Sequence, residues 1–475
     1  PDWVDYLSRN QYVLQQGEYV ADVLRYYGDH YERPPFDLDE FPEGYRFDYL
    51  NSEILQEKIS IKDGKIHVEN GGDYKIITLR DSEKMLLSTI KKLKELVLNG
   101  AVILGDKPIN SPSLMDDEKD VKELLNISKQ LWGITKSGVK KVGKGKVYWG
   151  KTLEEVLKEE KIEKDVIVAD ALDINWIHRE TKDAHIYFIA SKEENPVDVS
   201  LSFRVNGVVP EIWNAFTGEQ QKAKVWKNME GRTNVAFSLP KSGSIILVFS
   251  KGDAKPYASK ITMDDVVVLD TKIGWYQSHS SENYPRLSWN KTELLSSVPG
   301  DYTIYQDQNQ IKKSITFEQQ SLQNDWNLAF NKGWDTPERI TVKELKSLTA
   351  LENEAVQHYS GTTTYTKTFQ IEELGKSMIL DLGAVANIAE VWCNGKKIGT
   401  KWAPPFTFNV TNEVQVGKNQ LEIKVTNTWR NQLIFDNKRP SGAKKTWTTG
   451  GPKNNETKLE NAGLIGPVKL KSIKQ

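Results

Sequence analysis

YKIITLRDSEKMLLSTIKKLKELVLNGAVILGDKP, from Tyr74 to Pro108, changes its apolar period twice. YKIITLRD at 74–81 is an apolar run of strand length. Leu86, Ile90, Leu93 and Val97 then recur at helical spacing, with Lys91, Lys92, Lys94 and Glu95 toward water. Gly100 suits a left-handed cap, and AVILGDKP at 101–108 reads as the next buried strand. Strand, helix and strand in so short a span predict a right-handed parallel crossover.

Working outward, ADVLRYYG at 21–28 reads as a buried strand, and a long loop with Pro34, Pro35 and Pro42 follows. KVYWG and LEEVLKEE add another strand and helix. Together they predict a doubly wound α/β domain over about 18–165, flavodoxin-like or amidotransferase-like in outline. Residues 1–17 read as a helix, with Val4, Leu7 and Leu14 at near-helical spacing and Gly17 as its stop.

After Val166 clear helices stop and short alternating strands begin. LSFRVNG puts Leu201, Phe203 and Val205 on one face and Ser202 and Arg204 on the other. AHIYFIA and SIILVFS read as strands buried on both faces, which predicts a small β-sandwich over about 166–270. Residues 271–312 form an irregular connecting segment. YTKTFQI, SMILDLG, IAEVWCNGKKIGT and NQLEIKVTNTW then predict a jelly-roll β-sandwich over 313–475. The fold class is therefore a multidomain α/β plus all-β chain.

Composition excludes several roles. Basic residues number 64 and acidic residues 65, so no large basic field is available for nucleic acid. The single cysteine, Cys393, rules out an internal disulfide and a thiolate zinc cluster. No apolar run approaches the ~18 residues of a membrane span. The chain starts at Pro1, so any targeting segment is expected upstream.

Gly145, Gly150, Lys151 and Thr152 formally satisfy the phosphate-loop pattern, and VIVAD ending at Asp170 imitates a magnesium-binding strand end. A phosphate loop needs its strand before the first glycine. Here Lys146, Val147, Tyr148 and Trp149 put a strand inside the motif, which argues against nucleotide binding. The α/β domain has no cysteine, no G-x-S-x-G elbow and no G-x-G-x-x-G, so a structural role is expected. No H-E-x-x-H pair occurs. His185 reads as a packing residue within a strand. His178, beside Arg179 in NWIHRE, reads as a strand-end turn or a polar recognition group. Neither a catalytic pair nor a metal set emerges, and no cofactor is identified in this chain.

VWCNGKKIGTKWAPPF at 391–406 centres on Asn394-Gly395, a strong hairpin signal because both turn positions need positive φ. Val391 and Cys393 point one way and Trp392 the other. Trp392 and Trp402 suit either a sugar face or an inter-sheet gap. Asn427, Trp429, Arg430 and Asn431 set an indole beside amide and fork donors, which suit sugar hydroxyls. The carbohydrate-contact candidates are thus Trp392, Asn394, Trp402, Asn427, Trp429, Arg430 and Asn431.

Several stretches together resemble the C-terminal part of glycoside hydrolase family 106, the α-L-rhamnosidases. They include WVDYLSRNQYVLQQGEYVADVLRYYG, GYRFDYLNSEIL, DINWIHRETKDAHIYFIAS, PEIWNAFTGE and GRTNVAFSLPKSGSIILVFS, then HYSGTTTYTKTF, VWCNGKKIGTKWAPPFTFNVT, LEIKVTNTWRNQLI and GLIGPVKL. The resemblance implies a parent enzyme that removes terminal α-L-rhamnosyl units from plant-type polysaccharides. It implies an inverting mechanism with two carboxylates, aided by calcium, on an upstream barrel that residues 1–17 leave. It also implies a periplasmic or secreted location. No motif carrying those carboxylates is present, so no catalytic residue is transferred. The expected role is an accessory region giving structural support and glycan contacts, partnered by the barrel and by an oligosaccharide or polysaccharide. The alternative is a non-catalytic carbohydrate-binding or scaffold protein.

Overall fold

Strand Ile76–Leu79, helix Leu87–Asn99 and strand Val102–Leu104 form the predicted crossover, and the two strands pair in parallel. The computed structural model describes residues 2–29, 41–252, 254–280, 284–290, 293–452 and 456–474; Pro34 and Pro35 fall outside these. Two units are distinguished. The first comprises Pro1–Thr262, Val267–Ser280 and Ile304–Gln310, and the second Met263–Val266, Ser281–Thr303 and Ile311–Gln475.

In the first unit the crossover belongs to a six-stranded sheet. Its order is Phe47–Leu50, Val23–Tyr26, Ile76–Leu79, Val102–Leu104, Gly145–Trp149, Gly138–Val142. The first five strands run parallel and the sixth is an antiparallel edge. Leu24, Ile77, Ile103 and Val147 pack with Ile90, Leu93 and Leu124 on one face. Val23, Ile76, Leu104 and Tyr148 pack with Val156 and Leu157 on the other. Helices thus cover both faces, which explains the unbroken apolar runs.

The Leu87–Asn99 helix has Leu86 at its N-cap, which offers no capping side chain. The carboxylate of Asp29 supplies the cap instead, accepting from the Leu86 N–H at 2.8 Å and the Thr89 hydroxyl at 2.8 Å. Asp29 follows the Val23–Tyr26 strand, where the strand order reverses. The opening at which doubly wound sheets bind anions therefore already holds a carboxylate.

The rest of the first unit is a β-sandwich. One antiparallel sheet runs Glu18–Tyr19, Ile174–Glu180, Ala184–Ser191, Ser244–Lys251, Val208–Trp213, Gln220–Lys222. The other runs Val166–Ile167, Val197–Phe203, Arg232–Leu239, Trp226–Met229. Trp176, Tyr187, Leu201, Phe203, Phe237 and Phe249 share the core between them. The alternation in LSFRVNG places Leu201, Phe203 and Val205 inside. The opposite face is not solvated, however: Asp198, Ser200 and Ser202 are buried too. The segment after Asp270 covers that face, since the His279 ring meets Asp198 Oδ2 at 2.6 Å and the Asn234 amide donates to Thr271 O at 3.0 Å.

The N-terminal helix, Asp2–Leu14, forms as the sequence predicts, but a different face docks. Val13 packs with Ile186, Ile246 and Val248, and the Arg9 guanidinium donates to Ala215 O and Phe216 O at 2.8 and 2.9 Å. Val4 and Leu7 point outward, 59% and 37% exposed. Directed hydrogen bonds, invisible to a hydropathy pattern, choose the face. Gly17 ends the segment at φ +58, where a Cβ would lie 2.0 Å from Glu180 O, so only glycine fits.

The second unit contains another two-sheet sandwich. Its larger sheet runs Arg339–Glu344, Asn324–Phe330, Thr362–Ile371, Gly417–Thr426, Ile388–Cys393, Lys396–Lys401. Facing it, Asn309–Ser321, Lys469–Lys474, Ser377–Asp381 and Thr407–Asn409 pair in that order. Trp326, Tyr365, Val391, Ile423, Leu380 and Leu470 share one apolar core.

Candidate functional site

The phosphate-loop look-alike resolves as its residue types require. Gly145–Trp149 is a strand in the parallel sheet, so the backbone N–H groups are in the ladder or against it. Lys151 pairs with Glu159, and the Thr152 hydroxyl caps the next helix by accepting from the Glu155 N–H at 3.2 Å.

His178 departs from the sequence reading. It is neither in a strand-end turn nor on a recognition surface, but in the middle of strand Ile174–Glu180 and 3% exposed. Its Nδ1 faces Asp165 Oδ2 at 2.7 Å and its Nε2 faces His185 Nδ1 at 3.1 Å. Asp165 also accepts from the Tyr187 hydroxyl at 2.8 Å. Burial opposes ionisation of Asp165, but His178 and Arg204 outweigh it and hold the carboxyl below its usual range. Burial and the neighbouring His178 ring push His185 down. The Tyr187 ring stacks on His178 with centroids 4.0 Å apart, closing the cluster from above. His185 lies within its strand and is hydrogen-bonded, matching its packing role. The cluster is built as a structural polar layer, in which each buried charge meets an opposite or hydrogen-bonding partner.

In the second unit, Asn394 and Gly395 form the hairpin turn with φ of 49° and 82°. Val391 and Cys393 are buried, and burial pushes the Cys393 thiol up to about 11. Trp392 lies on the outer face, its ring flanked by the ammonium groups of Lys424 at 4.3 Å and Lys397 at 5.8 Å. The asparagine amides are occupied by backbone. Asn394 donates to Glu413 O at 2.8 Å and accepts from the Gln420 N–H at 2.9 Å. Asn427 accepts from the Gly361 N–H and donates to Tyr359 O, both at 2.8 Å. Asn431 exchanges both bonds with the Glu460 backbone. Arg430 lies against Glu460 at 3.0 Å and Glu456 at 3.5 Å. Trp402 is partly buried, next to the Pro404-Pro405 turn.

Trp429 differs from these. It precedes the Arg430–Asn437 helix and stays 56% exposed. Its ring tilts 47° against Trp334 at 5.8 Å, and Trp334 rests edge-on against Tyr359. The sequence reading missed Trp334, because 95 residues separate it from Trp429. The next residue, Asp335, takes Arg439 at 2.8 Å and Lys445 at 2.7 Å, which hold its carboxyl below the usual range. Asp436 fastens the following loop, accepting from the Lys445 and Thr446 N–H groups at 3.0 and 2.8 Å. Trp447, 85% exposed, follows that fastened pair. The only sequence signal for it is an indole within a threonine- and glycine-rich loop, TWTTGG. Rigid indoles backed by a charged network form a surface on which a sugar ring can stack. Among the described residues, no three His, Cys, Asp or Glu side chains are arranged to hold a metal ion.

Residues 1–227 match the family described as alpha-L-rhamnosidase, and residues 342–461 match one described as Glycosyl hydrolase 2 galactose-binding domain-like. A rhamnosidase from Novosphingobium sp. PP1Y is 27% identical with a TM-score of 0.78, covering 100% of this chain and 41% of that one. A Formosa agariphila protein described as "Putative beta-glucuronidase" is 27% identical, covering 98% of this chain and 56% of its own length. The chain thus spans roughly half the length of these relatives, 56% and 41%. Through residues 1–227 and the likeness to a solved rhamnosidase, the chain is similar to the rhamnosidase-like glycoside hydrolases of family 106.

Proposed function

We propose that this chain is the accessory C-terminal region of a rhamnosidase-like glycoside hydrolase, supporting an upstream catalytic barrel and contributing glycan contacts. The observation that carries this reading is the full-length likeness to a rhamnosidase of which it covers 41%. The outward Trp3, Val4 and Leu7 of the N-terminal helix, 52%, 59% and 37% exposed, support docking of the barrel there. The parent enzyme removes terminal α-L-rhamnosyl units from plant-type polysaccharides in the periplasm or outside the cell, and any calcium belongs to the barrel. The 2-1-3-4-5 order of the parallel strands supports a flavodoxin-like first layer. The facing antiparallel sheets support a jelly roll for the last domain. Glycan contact belongs to Trp429 with Trp334, while Asn394, Asn427 and Asn431 hold the surface in shape. Assay of the chain against an aryl α-L-rhamnoside tests the placement: no turnover is expected, and turnover overturns it.

A non-catalytic carbohydrate-binding protein is the second reading, favoured by the galactose-binding domain-like match over residues 342–461. The sequence upstream in the gene separates the two: a barrel with facing carboxylates supports the first, and its absence supports the second.

A further inference from the structure

The second unit gathers positive charge at one place on its smaller sheet. Asp381 ends the strand Ser377–Asp381. Its Oδ2 receives Lys471 Nζ at 3.4 Å and an Arg286 guanidinium nitrogen at 3.8 Å. Its Oδ1 is taken by the Gly383 N–H at 3.1 Å. Lys469 stands directly across from Asp381 in the strand register, so it shares the same face. Lys401, the last residue of Lys396–Lys401, approaches from the other sheet. The Phe406 carbonyl accepts from Leu382 N–H, which brings the 401–406 loop against Asp381. The Lys401 ammonium donates to Pro405 O at 2.9 Å and lies 5.5 Å from the Phe408 ring.

Among the described residues, Arg286 and Lys471 thus lie within 4 Å of the Asp381 carboxylate, with Lys401 electrostatically coupled to both Arg286 and Asp381 and Lys469 on the same face. The neighbouring Glu293 does not relieve them, because Lys313 and Lys376 share it at 3.3 Å each. Side chains of Arg286, Asp381 and Lys471 are 22%, 17% and 14% exposed, so the cluster is sheltered yet reachable. Phe317, a partly buried ring 5.7 Å from the Lys471 ammonium, adds an apolar face beside the charges. Repulsion among partly desolvated cations is costly, and an oxyanion placed between them removes that cost. Burial first, and then Arg286, lower the Lys401 pKa to about 8 against the pull of Asp381, as expected of an unneutralised ammonium.

We propose that Lys401, Arg286, Lys471 and Lys469 form a receiving site for an oxyanion carried by a glycan, either a uronate carboxylate or a sulfate ester. A bare anion has no use for the Phe317 face, whereas a pyranose ring does. The site is separate from Trp429 and stands on the glycoside hydrolase relationship rather than on the accessory reading.

Titration calorimetry of the whole chain with D-glucuronate, D-glucose 6-sulfate and D-glucose tests this at low ionic strength and pH 7. At least one acidic sugar is expected to bind about tenfold or more tighter than glucose, and salt weakens it. Lys401→Met and Arg286→Gln each lower that affinity about tenfold, while Lys241→Met, at an exposed lysine of the first unit, leaves it unchanged. Thermal unfolding of each variant verifies that it folds; Arg286→Gln serves if Lys401→Met does not. Binding of glucuronate alone assigns the carboxylate, and binding of the sulfate alone assigns the ester. Equal binding of all three sugars, absent binding of both acidic ones, or indifference to both substitutions overturns the site.

Discussion

The two sandwiches solve the same packing problem in opposite ways. In the first, Asp165, His178, Tyr187, Asp198 and Arg232 are buried, and each charge is matched inside the fold. In the second, the core shared between the sheets is apolar, the buried Asn419, Asn431, Gln432 and Asp436 serve turns and loops at its margin, and Trp392 and Trp429 stand outside it. A polar interior fixes a unique arrangement at a desolvation cost. An apolar interior leaves the polar and aromatic residues free for the surface. Recognition is therefore to be sought on the second sandwich, and sensitivity to mild acid in the first.

The largest effect that tests this contrast is Asp165→Ala. It strands His178 and Tyr187 at a buried position and is expected to destabilise the first unit by about 3–5 kcal/mol. Urea unfolding monitored in each unit measures it. A loss below about 1 kcal/mol breaks the contrast.

Next comes Asn394→Ala in the hairpin. It removes the bonds to Glu413, Asn419 and Gln420 and places alanine at φ 49°, at an expected cost of about 1–3 kcal/mol. The melting temperature of the second unit reports it.

Acidification sharpens the comparison. His185 has a lowered folded pKa, so below about pH 6.5 the unfolded chain binds more protons and stability falls as pH falls. Asp165, also lowered, acts in the same direction further down, as pH drops through the carboxylate range. Asp198, raised by burial, acts oppositely just above the ordinary carboxylate pKa. Lys401, lowered to about 8, makes the second unit gain stability as pH rises from about 8 toward the ordinary lysine value. Unfolding of the two units across pH 5 to 10 should diverge in these senses, and parallel curves refute the assignment.

The smallest stability effect belongs to Trp429→Ala. At 56% exposure it should change stability by less than about 0.5 kcal/mol while weakening oligosaccharide binding about tenfold. Unchanged affinity removes that surface.

How much of this was readable beforehand depends on range. The Leu86–Val97 stripe and the Asn394-Gly395 turn are local, and both appear as read. The strand inside the phosphate-loop look-alike is local too, and Gly145–Trp149 forms it as the strand-forming residues predict. His178 was misread because its partners lie on other segments: Asp165 is 13 residues away, and Tyr187 and His185 stand on the next strand. The docking face of the N-terminal helix was missed for a like reason, since Arg9 bonds backbone more than 200 residues away. Trp334 escaped notice because nothing near it in sequence marks it as the neighbour of Trp429.

The Asp29 cap has a consequence for redesign. The notch at the start of the Leu87–Asn99 helix carries its own built-in tenant, tethered by the chain rather than recruited from solution. Evicting it with Asp29→Gly should unmask a vacant electropositive socket, and free phosphate would then restore part of the lost melting temperature.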